Sequence, residues 1–197
     1  MRRVLMALYS FDDYHRRFPL QASTDPSGIP TTSWRYEICR YFSTAEPPGI
    51  QVLDVPWDSP KIRHWEMWGA SHYSGSSHDP FTTILAVTGQ GAAFGKDKAR
   101  LKAVPNDLII VVEVSNAGVH WMQPGDYDAE TLQQDIVNGN FFAGDGACVG
   151  FADGETWLLS NATPPAEIGK FLTIDGAKNH DRDSSLASFV IRRWSEN

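Results

Sequence analysis

Two apolar runs, ACVGFA (147–152) and ETWLLS (155–160), are separated by Asp153-Gly154 alone. Nothing else in the chain restricts its fold as tightly. An Asp-Gly pair between two apolar runs is a strong short-range signal for a β-hairpin with a two-residue turn. Both central residues of that turn need positive φ, which Gly154 adopts freely and Asp153 tolerates. Asp153 is therefore expected as a turn residue with no ligand on its carboxylate. A catalytic carboxylate would need a second titratable group beside it; Asp145 and Glu155 are near in sequence, but nothing in the sequence sets their geometry. On the turn reading, Asp153→Asn should cost no more than about 0.5 kcal/mol, as at an ordinary surface site.

More strands are expected on either side. FTTILAVT (81–88) and LIIVVEV (108–114) are β-branched runs, and the second is apolar enough for a central strand. Helical spacing comes first in the chain. Val4, Leu8, Phe11, His15 and Phe18 line one face of a helix over 4–18, which Pro19 ends. Val4, Leu8 and Phe11 should pack on the sheet. A second helix, capped by Thr32 or Ser33, would bury Trp34, Ile38 and Tyr41 or Phe42. Shorter helices are expected over 127–137, capped by an Asp, and 164–174, with Pro at its start and Gly176 past its end. QASTDPSGIPTTS (21–33) reads as a loop, and 50–80 as a long irregular segment with one short helix near DSPKIRHWEMW. Helices followed by strands point to an α+β domain over 1–176. Residues 177–197 read as a loosely ordered polar tail with one short element in LASFVIRRW.

The 197 residues suit one domain with its own core. The net charge is -7, with no basic block, which argues against nucleic acid or an anionic membrane surface as partner. No run of roughly 18 apolar residues is present, so no transmembrane segment is expected. The start, MRRVLMALYSFDDY, opens like a signal peptide, but its apolar part is too short for one. Cys39 and Cys148 form no CxxC motif, and whether they pair stays open.

Motifs for chemistry are weak. TGQGAAFGKD (88–97) lacks the first glycine of a phosphate loop, because Gln90 stands there, and Asp97 replaces the Mg²⁺-binding hydroxyl residue. His64, His72 and His78 are spaced eight and six apart, which puts no pair on one helical face for zinc. Asp126, Asp128 and Glu130 alternate as in a calcium loop, without its glycine or distal glutamate. They are weak metal candidates, better explained as a helix cap and an acidic first turn. No Gly-x-Ser-x-Gly elbow or nucleophile–base signature occurs, so neither catalytic residue nor cofactor is expected. Trp57, Trp65 and Trp68 share an irregular segment. Core packing is the plainer reading of them; they are also the best candidate ligand surface, for stacking on a glycan or another solute.

Glu113 follows five apolar residues, and Arg35 lies in the first turn of the second helix. A buried carboxylate needs a partner. The two are therefore expected to form a buried ion pair that fixes the helix to the central strand and takes no part in catalysis; the competing reading leaves Glu113 facing solvent on a strand buried on one side only.

Several segments together resemble one family. They are ALYSFDDYHRRFP (7–19), SWRYEICRYFSTA (33–45), DVPWDSPKI (54–62), ILAVTGQGAAF (84–94), Val111 to Glu113, WMQPGDYD from Trp121, and VGFADGETWLLS (149–160). They resemble, in order over about residues 4–175, a group of prepilin-like proteins of unknown function abundant in planctomycete bacteria, also described as solute-binding-like. The family carries a C-terminal His-x9-Asp-Gly motif. The motif histidine falls on Ala143, so a site that needs it is absent. The chain starts in the middle of the family's prepilin helix. The resemblance implies a pilin-like fold, an N-terminal helix packed on an antiparallel sheet with elaborated loops. It further implies an extracytoplasmic, envelope-associated, non-catalytic structural or assembly subunit of a type II secretion or pilus-like system. Its partners would be other pilin-like subunits or envelope proteins. The alternative is an extracellular glycan- or solute-binding module that uses the 50–80 segment.

Overall fold

The computed structural model describes residues 1–42, 55–62, 66–74, 79–94, 100–115, 117–142 and 144–194, with the backbone alone at 66–68 and 70. In chain order the elements are α1 (Arg2–His15), β1 (Ala22–Thr24), β2 (Pro30–Ser33), α2 (Trp34–Ile38), α3 (Glu66–Tyr73), β3 (Ile84–Thr88), β4 (Ile109–Glu113), β5 (Tyr127–Asp128), α4 (Ala129–Val137), β6 (Gly146–Phe151), β7 (Thr156–Ser160), α5 (Pro165–Gly169), α6 (Ile174–Asn179), α7 (Arg182–Leu186) and β8 (Val190–Trp194). The architecture is α+β. Among the described residues, six strands form one sheet in the order β5-β3-β4-β6-β7-β8. Every pairing is antiparallel except the short parallel contact between β3 and β5. A separate hairpin joins β1 to β2.

The expected central strand is central. The first four residues of β4 are buried, and it lies between β3 and β6. Helix α1 lays one face on the sheet, burying Val4, Leu5, Ala7, Leu8 and Phe11. Fully burying an aliphatic or aromatic side chain stabilises by about 1.5–3 kcal/mol each. Leu5 reaches the sheet because Gly150 has no side chain. A Cβ there would lie 2.7 Å from Val111 Cγ2 and 3.2 Å from Leu5 Cδ1. The Tyr9 hydroxyl donates to the carbonyl of Ala152, pinning the helix to the turn after β6. The helix ends where Arg16 turns left-handed, at φ 58, sooner than the periodicity to Phe18 suggested.

The β6–β7 hairpin forms, but not with the expected turn. Gly154 N–H donates to the Phe151 carbonyl at 3.0 Å, and Phe151 N–H donates to the Glu155 carbonyl at 2.9 Å. Gly154 has φ 91, while Asp153 does not have positive φ. The loop is thus three residues, Ala152 to Gly154, in which a turn is followed by a left-handed glycine that makes a bulge. Only one residue must be left-handed, and the glycine takes that role.

Three other segments differ from expectation. The loop at 21–33 contains β1 and β2, tied across their turn by Ser27 and Ile29 N–H groups donating to Asp25 Oδ1 at 2.8 and 2.9 Å. The helix expected over 164–174 is two helices, α5 and α6, the second capped by Thr173, whose hydroxyl accepts from Gly176 N–H. The expected loose tail is structured through Trp194. Helix α7 packs on the domain, and β8 pairs with β7 as the edge strand. Ala143 and residues 195–197 lie outside the described residues.

Gly150→Val should lower stability by about 1–3 kcal/mol, because added methyls must displace Leu5 or Val111. Chemical denaturation would measure it, with Ser10→Ala on the exposed face of α1 as a control that stays within about 0.5 kcal/mol.

Candidate functional site

Arg35 is fully buried, and so is its carboxylate partner, but the partner is Asp126. Glu113 ends β4 and is exposed. The expected Arg35–Glu113 pair is therefore corrected. Glu113 lies where the strand leaves the core, opposite Ile84, and faces solvent, as the competing reading had it.

The guanidinium uses every donor it has. Nε donates to the Trp121 carbonyl at 3.1 Å. Nη1 donates to the Ile84 carbonyl at 3.3 Å and to Asp126 Oδ1 at 2.8 Å. Nη2 donates to the carbonyls of Gln123 and Gly125 at 3.2 and 2.8 Å. An arginine has five N–H donors, and all five are satisfied. The segment WMQPGD (121–126) is wrapped around this one cation. Asp126 Oδ1 also accepts from Trp34 Nε1 at 2.8 Å and from Ala86 N–H at 2.9 Å, while Oδ2 is buried without a hydrogen bond. Tyr73 of α3 completes the centre by donating to the Arg35 carbonyl at 2.6 Å.

The metal candidates separate accordingly. Asp126 serves Arg35. Asp128 caps α4 by accepting from Glu130 N–H at 3.0 Å, and Glu130 is exposed in the first turn. Among the described residues, no group of three His, Cys, Asp or Glu side chains could hold a metal ion.

A second guanidinium sits at the opposite side of the sheet order. Arg182 of α7 is buried among Asp107, Asp153 and Glu155. It donates to both oxygens of Asp153, through Nη1 to Oδ1 at 3.1 Å and through Nη2 to Oδ2. Its Nε lies 3.2 Å from Asp107 Oδ1, and its Nη2 lies 3.3 Å from Glu155 Oε2. Its guanidinium carbon sits 4.6 Å from the Phe151 ring centre and 5.0 Å from that of Trp157. Burial pushes the Asp107 carboxyl above the usual carboxylate range. Burial also works against the charge of Arg182, but the Asp153 hydrogen bond and the surrounding carboxylates outweigh it and raise its pKa. Asp153 is thus a turn residue that also holds Arg182. It accepts from Glu155 N–H at 3.0 Å as well. The pair with Arg182 was not expected, and with it the expectation that Asp153→Asn is nearly neutral is corrected.

Among the described residues a groove near β3 suits a small ligand. This open groove of about 490 Å³ is lined by Asp79, Phe81, Thr82, Thr83, Ser115 and Gly118. Phe81 is 48% exposed. Its ring is 6.5 Å from that of His120, which is 5.1 Å from the half-buried Trp57. An exposed ring face beside a carboxylate and hydroxyls can hold a polyhydroxylated molecule by stacking and hydrogen bonds. Trp57 packs partly against the core, Trp65 lies outside the described residues, and so does the side chain of Trp68. Phe81 was not singled out from sequence, where it reads as the first residue of a strand.

Arg182 and the role of Asp126 also escaped sequence reading. The signal for Asp126 was WMQPGD itself, an irregular stretch with several carbonyls free to face a cation. The chain matches no protein-family model, no curated protein and no solved structure.

Glu113→Gln should change stability by less than about 0.5 kcal/mol, whereas Asp153→Asn should cost about 1–3 kcal/mol by loosening a buried charged hydrogen bond. Urea titration of both variants separates the two sites. Cys39 and Cys148 are free and buried, and burial lifts both thiols to about 12. At pH 8 neither should react with a thiol reagent until the protein opens, so labelling should follow the unfolding rate.

Proposed function

We propose that this chain is a non-catalytic, pilin-like subunit that assembles with other pilin-like subunits or envelope proteins outside the cytoplasm. The observation that carries the reading is the two-faced α1. One face is sunk on an antiparallel sheet, and the other leaves Met6 and Tyr14 exposed at 55% and 75%. Exposed large apolar groups on an element otherwise well packed suit a surface that a neighbouring subunit covers. The resemblance of 7–19 and 149–160 to prepilin-like proteins supports it further. The donors of Arg35 are all taken by the chain's own groups, and Arg182 is held by three of its carboxylates, which suits structural cations. No described helix is long and apolar enough to cross a membrane.

A second reading, an extracellular glycan- or solute-binding module, is favoured by the Phe81 groove. The two readings separate by variant. Met6→Cys and Tyr14→Cys place thiols on the outer face of α1, in a protein whose native thiols are buried. In cells that make the protein, a bismaleimide should link copies or envelope partners through these positions. Monomer alone at both positions would contradict assembly through α1. Binding of soluble oligosaccharides that Phe81→Ala abolishes, without any change in crosslinking, would favour the module.

A further inference from the structure

Residues 181–194 are attached unlike the rest of the domain. Along this arm only Arg182 and Leu186 are buried, and no residue of β8 is. The attachments are charge, ring stacking and strand pairing. Arg182 is caught by Asp107, Asp153 and Glu155. Arg193 lies 3.9 Å over the Trp157 ring and pairs with Asp183 at 2.7 Å. Four residues of β8 pair with β7, from Thr156 opposite Trp194 to Leu159 opposite Val190. Asp181 caps α7, accepting from Ser184 N–H at 2.7 Å. Beneath the arm lie Phe151, Trp157 and Leu159, all fully buried.

We infer that residues 181–194 form a latch, keyed by Arg182, that opens as a unit and shields the β7 edge from pairing with a second copy of this chain. The physical reasons are two. The arm adds one buried apolar side chain of its own, Leu186, and an element held mainly by charge and strand pairing opens below the global unfolding free energy. An uncovered edge such as TWLLS, apolar and with unpaired N–H and C=O groups, is a template for another strand. The strand that covers β7 exposes Ile191, Arg192 and Arg193, of which Arg193 is engaged by Trp157 and Asp183, so Arg192 is the charge that guards it. A second copy's β8 would bring its Arg192 against this one at that outer edge, whereas TWLLS on the open β7 edge carries no charge. The carboxylates facing Arg182 are Asp107 from the segment before β4, Asp153 from the hairpin turn and Glu155 after it. Arg193 faces the same Trp157 from β8.

Hydrogen exchange by mass spectrometry on the full chain tests the latch, with light scattering for the second copy. In the native protein, amides of 190–194 should exchange at least about tenfold faster than those of β4 and β6. Arg182→Gln should speed the 190–194 amides by about tenfold or more while leaving β4 and β6 protected, and the protein should associate as its concentration rises. Arg182→Lys keeps the charge but loses the paired hydrogen bonds, and should fall between. If 190–194 exchanges together with β4 and β6 in the native protein and both variants, there is no latch. If it opens alone in Arg182→Gln and the protein stays monomeric at every concentration, the shielding role is overturned. If Arg182→Gln unfolds altogether, Arg182→Lys decides by the same comparison of β8 with β4 and β6.

Discussion

A single guanidinium ties α2 to β3 and to the irregular segment before β5. Arg35 comes from a five-residue helix too short to be stable alone. Its donors end on β3, on the irregular 121–126 segment and on Asp126. The same segment accepts from Ser33, whose hydroxyl donates to the Trp121 carbonyl at 2.7 Å and whose N–H donates to the Met122 carbonyl at 2.9 Å. Burying such a charge costs several kcal/mol, and the structure offsets that with a complete set of acceptors. What results is geometric definition. The segment 121–126 has no regular secondary structure, yet its carbonyls have fixed directions because the cation fixes them.

The sheet positions everything else relative to this centre. β3 brings Ile84 to Arg35 and, through Ala86, reaches Asp126. β4 and β6 carry the surface on which α1 lies, with Gly150 as the seat for Leu5. The hairpin beyond β6 supplies Asp153 to a second buried guanidinium. Arg35 serves the interior, while Arg182 serves the margin, joining the last strand to a sheet that would otherwise end at β7. The proposed subunit role fits a body of this design, with α1 well buried on one face and a last strand that buries none of its residues. The groove beside Phe81 lies at the entry to β3, where Thr82 donates to the same Ile84 carbonyl that accepts from Arg35.

Features set by local periodicity were legible in the sequence. The LIIVVEV run gave the central strand, and Val4, Leu8 and Phe11 gave the buried face of α1. The Asp-Gly pair announced the hairpin, but its loop length depended on which residue took the left-handed conformation, and that is fixed by the register of β6 on β7. Partners distant in sequence were not legible. Arg35 was correctly read as needing a buried carboxylate, yet Glu113 was chosen because it follows an apolar run, and its place at the strand end exposes it. Asp126 was read within an alternating acidic motif, which hid its buried position. The β1–β2 hairpin was masked by proline, glycine and serine. The C-terminal arm looked like a tail because its polar sequence buries almost nothing and is held by charge and by strand pairing.

The measurement that bears most directly on this account is a double-mutant cycle on Arg35→Met and Asp126→Leu, followed by urea unfolding. Each single substitution leaves the other charge buried and uncompensated, and should destabilise by about 3–5 kcal/mol. The double variant should be less destabilised than the sum of the two by about 2–3 kcal/mol, the coupling of groups in one network. Additive effects with near-zero coupling would mean that the two groups act independently, and that the packing of α2 on β3 does not rest on their contact.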